Sequence, residues 1–295
     1  MTTTPISSML IFVWVSLIVL AVWYCFVFVK DFLAHRSELE NSSWLKTSLI
    51  GFVVNFFDVL GIGAFAPQTA LLKFTRQTED RLIPGTMNVA NTIPVLLQAF
   101  IFITIIEVDP LTLILMLVSA TAGAVIGAGI VSRLSERKIR ITMGIALVVT
   151  AGFMLARIMN WIEGGGDAIG LTGYKLVFAV VVNFFLGAIM TAGVGLYAPC
   201  MALIFALGMS PTVAFPIMMG SCAFLMPLAS VKFIKTKSYN RKAALAMAIP
   251  GSIAVLIAAF IVKSLPLETL QWVVLAVILY TSATMLAAAF PKKVA

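Results

Sequence analysis

Charge is scarce in this chain. Asp, Glu, Lys and Arg make up only 11% of its 295 residues, where a soluble domain carries about a quarter. Hydrophobic residues account for 61%, and mean hydropathy is +1.09. A water-soluble fold is excluded by that balance. Histidine is almost missing as well: His35 is the single one, and it lies in a polar stretch. Cys25, Cys200 and Cys222 form no CxxC pair and have no histidine near them in sequence, so zinc, thiol-redox and histidine-triad chemistry have no basis. The one glycine run, Gly164-Gly165-Gly166, is not followed by the Lys-Ser/Thr of a phosphate loop and reads as a flexible connector. No cofactor is implied, and an enzyme would have to work with almost no catalytic acids, histidines or thiols at depth. The net charge of +8 does not point to nucleic acid, because the basic residues sit in short loops with no aromatic platform between them.

What is present is long apolar runs, at about 8–30, 46–75, 84–106, 110–132, 139–159, 175–208, 213–231, 243–262 and 267–290. A spanning helix needs about 20 such residues. These runs predict an all-α integral membrane protein with the lipid bilayer as its surroundings. The first run has no basic start and no small-residue cleavage site, so it is expected to be a retained helix.

Two runs, 46–75 and 175–208, are too long for one simple span, and each contains the same break. The first reads G-I-G-A-F-A-P, Gly61 to Pro67; the second reads G-V-G-L-Y-A-P, Gly193 to Pro199. The copies stand 132 residues apart, and Pro84 with Pro216, Ala70 with Ala202, Leu71 with Leu203 and Met87 with Met219 keep that spacing. A duplicated break in a hydrophobic segment is the sequence pointer to a transporter binding site.

Basic residues decide the threading. If each broken run enters and leaves on one side, Arg157, Lys175 and Lys263 stand alone on one face and the other 17 of the 20 Lys and Arg lie on the opposite one. If both runs span, the clusters near 133–140 and 232–242 fall on opposite sides. The first threading is predicted: inverted-topology repeats, each a re-entrant helical hairpin plus three spanning helices, with one extra N-terminal spanning helix. That makes seven full spans, an outside N-terminus and a cytoplasmic C-terminus in the cell (inner) membrane. The expected divisions are 1–45 for the extra helix and its loop, 46–160 for the first repeat, 161–174 for a connector and 175–295 for the second repeat. One long tilted or kinked helix in place of each hairpin is the alternative.

Proline suits the first turn of a helix, so Pro67 and Pro199 are expected to start the returning half-helices. The free N–H groups of Gln68, Thr69, Cys200 and Met201 would then face the midplane, where helix N-termini attract anions. Gly61, Gly63, Gly193 and Gly195 allow a tight reversal and close backbone approach. Thr86, Asn88, Asn91 and Thr92 after Pro84, and Ser221 and Cys222 after Pro216, can complete an anion shell; interhelical hydrogen bonding is the competing role. Pro94 and Pro227 can kink the helices that follow. Asp58 is the one acid well inside an apolar run, and it is the candidate coupling residue for a proton or cation. Glu107, Asp109, Glu163 and Asp167 read as exposed loop acids.

At these residues the chain resembles the TauE/SafE family of membrane anion exporters. The resemblance rests on the duplicated G-x-G-x-x-x-P, on P-G-T at Pro84–Thr86 and on K-T-K-S-Y-N-R-K at Lys235–Lys242, and it covers about residues 46–290. The chain departs from the family pattern where Ala64 follows Gly-Ile-Gly and where Met87 follows Gly85-Thr86. The resemblance implies a secondary transporter exporting a small sulfonate or sulfite by alternating access. A passive anion channel and an importer of an anion such as sulfate are the alternatives, with a membrane enzyme behind them. The partners implied are a small anionic substrate and a coupling proton or cation; a homodimer is compatible with it.

Overall fold

The computed structural model describes residues 8–59, 63–159, 161, 166–193, 195–261 and 267–290. Among them the chain is all helix, with no β-strand beyond one isolated bridge between Ala168 and Met209. The order is α1 (Ser8–Ala34), α2 (Trp44–Val59), α3 (Phe65–Phe74), α4 (Ile83–Ile105), α5 (Pro110–Val131), α6 (Glu136–Ile158), α7 (Gly173–Met190), α8 (Tyr197–Ala206), α9 (Ala214–Lys235), α10 (Arg241–Ile261) and α11 (Leu267–Ala289). Helix is what a chain must form in lipid, since each backbone N–H and C=O has to be satisfied within its own segment.

Six helices among the described residues are long and apolar enough to cross a bilayer: α1, α4, α5, α7, α9 and α10. Helix α6 opens with Glu-Arg-Lys-Ile-Arg, and the 18 residues that follow, 141–158, carry a single charge, Arg157. The seven spans expected add α6 and α11 to this set and count α7 as a hairpin limb. Helix α7, expected as a hairpin limb, has 18 residues, about 27 Å at 1.5 Å per residue.

Both broken runs fold as a long helix followed by a ten-residue one, α2–α3 and α7–α8. Their short helices start and stop 132 residues apart, at Phe65 and Tyr197 and at Phe74 and Ala206. They also end alike. Arg76 (φ 52°) and Gly208 (φ 84°) turn left-handed. Gln77 N–H then reaches Leu72 O, and Met209 N–H reaches Ile204 O, closing each helix with a Schellman turn.

Packing repeats the same symmetry. Helix α2 lies along α10 as α7 lies along α5, and α4 pairs with α9 as α6 pairs with α11. Glycine permits the close crossings. A Cβ on Gly187 or Gly123 would strike the α5 or α7 backbone, and one on Gly51 would strike Met247 of α10. Pro250 leaves the Ala246 carbonyl without its helical donor, and the Ser48 hydroxyl of α2 supplies one at 3.1 Å. Helices α4 and α9 form the centre, with 72% and 83% of their span residues buried. The outer faces carry large apolar side chains such as Phe12, Phe26, Phe178, Phe185 and Phe260, as a lipid-facing belt requires.

Loops gather into two groups. Ser43 N–H donates to Gln77 Oε1 at 2.8 Å, joining the start of α2 to the end of α3. Lys73 and Arg140 both bind Asp80 at 2.8 Å, and Ser238 Oγ donates to Ser132 O at 3.1 Å. In the other group Lys175 Nζ donates to Leu207 O at 3.1 Å, Gly166 N–H to Met209 O and Asp109 N–H to Ile169 O. Gly164 and Gly165 of the expected flexible connector lie outside the described residues; residues 166–171, which follow, are held by these bonds and by Leu171 N–H on Thr112 Oγ1. One reading from sequence needs correction here. Asp109 is the N-cap of α5, accepting from Thr112 N–H at 2.8 Å. Asp167 and Glu107 are exposed as expected; Glu163 lies outside the described residues.

Helix α1 joins the bundle through one face. Tyr24 donates to Val89 O at 2.6 Å, and Asp31 accepts from Tyr239 at 2.6 Å and from Arg241 at 2.8 Å.

Candidate functional site

The two breaks meet at one cavity. It is lined by Asp58, Gly63, Ala64 and Phe65 from the first break, Met190, Gly195, Leu196 and Tyr197 from the second, Asn91 and Val95 of α4, and Cys222 of α9. Its volume is about 10 Å³, at the lower limit for a single water. Little free space is therefore left between the two breaks.

The local chemistry differs between the breaks. Asp58 sits in the last turn of α2, and its carboxylate crosses the gap to the start of α3. Oδ1 accepts the Ala64 N–H at 2.6 Å, and Oδ2 accepts Gln98 Nε2 of α4 at 2.7 Å. The first break thus already holds an anion at its helix N-terminus, where the dipole favours it. Among the described residues no acid serves the second break. Its 132-residue counterpart of Asp58 is Met190, and no side chain caps α8. Tyr197, the first residue of α8, donates instead to Gln98 Oε1 at 2.9 Å. Its hydroxyl lies close enough to Asp58 to feel the carboxylate, but the bond runs to the amide. One glutamine therefore links the two breaks.

A second polar chain runs beside the first. Asn91 Nδ2 donates to Gln68 Oε1, Asn55 Nδ2 donates to Asn91 Oδ1 at 3.1 Å, and Gln68 Nε2 faces Met247 Sδ at 3.1 Å.

Of the site residues expected from sequence, Gly63, Asn91, Gly195, Cys222 and Asp58 line the cavity. Gly61 lies outside the described residues. Pro67 and Pro199 are third rather than first in their helices, because α3 and α8 start at Phe65 and Tyr197. That shift corrects the expectation of free donors: Gln68 N–H is taken by Ala64 O at 2.9 Å and Cys200 N–H by Leu196 O at 3.0 Å. Thr69 and Met201 lie one residue further into the helices, and Thr69 Oγ1 donates to Phe65 O at 2.8 Å. Gly193 turns left-handed (φ 102°) against the methyl ends of Met143 and Met87. Thr86 donates to Leu82 O and receives Asn240 N–H, away from the cavity. Asn88 donates to Pro84 O, Thr92 meets Ser230 at 2.9 Å and Ser221 meets Asn183 at 3.2 Å. These last three do the interhelical and local bonding that was the competing role.

Sequence reasoning missed Gln98, Tyr197 and Asn55. A signal for Gln98 existed, since it lies seven residues beyond Asn91 and so on the same helix face. Tyr197 stands inside the repeated motif itself. Among the described residues no group of His, Cys, Asp and Glu is placed to hold a metal ion.

The fold is that of a multi-pass helical membrane protein whose two broken helices converge on a buried polar centre. A model of the family described as Sulfite exporter TauE/SafE matches residues 2–154, just over half of the chain, and the chain belongs to that family. Membership places it among anion-exporting membrane transporters rather than in an enzyme family. The match takes in α1, which the motif resemblance over 46–290 had left out. No curated protein and no solved structure matches the chain.

Proposed function

We propose that the protein is a secondary transporter that exports sulfite or a small sulfonate by alternating access, with the anion held between the two breaks. Gly195 carries this reading. Its backbone is not left-handed, so its conformation does not require glycine, and among the described residues a Cβ there would meet nothing within 4 Å. The missing side chain leaves open space on the cavity wall where no packing calls for it. The backbone N–H groups around Gly195 and Tyr197 and the second hydrogen of Asn91 Nδ2 then provide the anion's contacts, with no Lys or Arg among the described residues of the cavity wall.

In this reading the hairpins are re-entrant and the repeats inverted. Support comes from Ser43 on Gln77 and Lys175 on Leu207, which join each hairpin's entry to its exit. The loop groups also match the basic split: Lys73, Arg140 and Arg241 belong to the group with most of the charge. The charged end is cytoplasmic by the positive-inside rule, which puts the C-terminus inside and the N-terminus outside, in the cell (inner) membrane. The membrane potential alone drives an anion outward, at about 2.3 kcal/mol per charge per 100 mV. A site of about 10 Å³ has to widen before an oxyanion enters.

Binding of purified protein to sulfite, sulfoacetate, taurine, sulfate and oxalate tests the substrate class. Preference for sulfite or a sulfonate is expected, and binding of oxalate or sulfate alone would overturn it. Topology is tested by single cysteines at Ser135 and Asp167, both exposed, with Cys25, Cys200 and Cys222 replaced. An impermeant thiol reagent in intact cells should label Asp167→Cys and spare Ser135→Cys; the opposite pattern rules out this orientation.

A further inference from the structure

We propose that Gln98 is an amide-flip relay, which passes the protonation of Asp58 to the hydroxyl of Tyr197 and so couples a proton to the anion. The inference rests on the anion site proposed above and assigns its coupling device.

The bonding pattern is Ala64 N–H on Asp58 Oδ1, Gln98 Nε2 on Asp58 Oδ2 and Tyr197 O–H on Gln98 Oε1. All three side chains are buried. An ionised carboxylate only accepts hydrogen bonds. Gln98 must therefore turn its NH₂ toward Asp58, which leaves its carbonyl for Tyr197. The one proton of the Tyr197 hydroxyl is then spent on the amide and is withheld from the cavity that Tyr197 lines.

A proton on Asp58 Oδ2 reverses the requirement. The carboxyl becomes a donor there and pairs with the amide oxygen. The amide rotates by half a turn, which exchanges oxygen and nitrogen with almost no change of shape. Its NH₂ now donates to the tyrosine oxygen, and the freed O–H points into the cavity as a donor to an anion. No covalent bond of the chain changes, and one proton is taken up from solvent for each anion so favoured. Neutralising Asp58 also removes a negative charge from the cavity wall. Both effects have the same sign, so anion binding tightens as pH falls through the Asp58 titration.

Few other ionisable groups can interfere. Facing Asp58 are Tyr197 of α8 and the thiol of Cys222 on α9, with Cys200 of α8 behind it. Helix α4 carries no acid or base. On α3, Lys73 is paired with Asp80 at the far end of the helix. On α10, Arg241 and Lys242 occupy the first turn, where Lys242 lies over Trp44 at the opposite end of α2. Lys46 of α2 shares that end.

The test is pH-difference infrared spectroscopy on the ligand-free, full-length protein in lipid. The carboxylic band of Asp58 is assigned by its loss in Asp58→Asn, and the tyrosine band by its loss in Tyr197→Phe. In the wild type both bands, and the amide band of isotope-labelled glutamine, should shift with one midpoint. In Gln98→Leu the carboxylic band should still titrate while the tyrosine band keeps only the smaller shift that the nearby carboxylate imposes directly. A tyrosine band that moves as far as in the wild type in that variant overturns the relay. So does a glutamine band that stays still in the wild type, a result that needs no variant to fold, or the lack of any Asp58 band at every pH where the protein stays folded. Binding of methanesulfonate, whose charge is constant over the physiological pH range, separates relay from site. Wild-type affinity should rise about tenfold on acidification, about 1.4 kcal/mol. Asp58→Asn should bind at the tight limit whatever the pH, and Tyr197→Phe should bind more weakly and keep only the smaller pH dependence that the Asp58 charge alone supplies. Coupled bands without any methanesulfonate binding would refute the anion site and leave the relay standing; binding without coupled bands would do the reverse.

Discussion

Replacing Gly195 with valine is expected to abolish anion transport and leave the protein folded. Among the described residues a Cβ at this position meets no atom within 4 Å, and the backbone is not left-handed. The cost to the fold is then that of an ordinary permissive site, within about 1 kcal/mol and of either sign. The cost to function is large, because the new methyl groups occupy the wall of a cavity of only about 10 Å³. Small displacements of a bound group lower rates by about a hundredfold, and filling its place should do at least that. Efflux of sulfite from proteoliposomes gives the rate, and thermal unfolding in detergent gives the fold. Gly195→Ala should fall between wild type and valine. The same experiment at Gly63 is less clean: that residue also lacks neighbours around its Cβ, but its φ of 87° strains any side chain. A Gly195→Val protein that transports at the wild-type rate removes the case for this site.

Gly187→Val should have the opposite profile and cost the fold itself. A Cβ on Gly187 would lie within hard contact of the Ala120 carbonyl, and Gly123 on the facing helix meets the Phe184 carbonyl in the same way. Backbone cannot yield as a flexible side chain does, so α5 and α7 must separate. Overpacking of a tight core costs about 1–3 kcal/mol, occasionally more, and here it also breaks the dispersion contacts along a whole crossing. Close approach of small residues is the main source of helix association in lipid, where the hydrophobic effect no longer drives it. Loss of the monodisperse peak on size exclusion is the expected result. Gly152→Ala is the control, since a Cβ there meets nothing within 4 Å on an exposed face of α6. Normal yield and melting temperature for Gly187→Val would show that the crossing is not tightly specified.

Much of the architecture was legible because lipid leaves few options. Runs of about 20 apolar residues can only be helices, and the Gly-Pro breaks placed the short helices to within two residues. The error at those breaks has a physical cause. Proline is tolerated anywhere in the first turn, where no N–H partner is lost, so it marks the turn and not its first residue. With two residues of helix ahead of each proline, the donors expected to be free on Gln68 and Cys200 are already bonded within the chain.

The sequence by itself determined that this is a helical membrane protein, that it contains a duplicated break, and that Asp58 is buried at depth, because each follows from composition or local spacing. Only the tertiary structure decided what Asp58 does with its charge. Its partners are Ala64 across a turn and Gln98 from α4, and Gln98 in turn meets Tyr197, 99 residues further on. A side-chain hydrogen bond depends on direction to within a few tenths of an ångström. Residue types along a chain carry no such information, and it arises only where α4 and the two breaks are packed against one another.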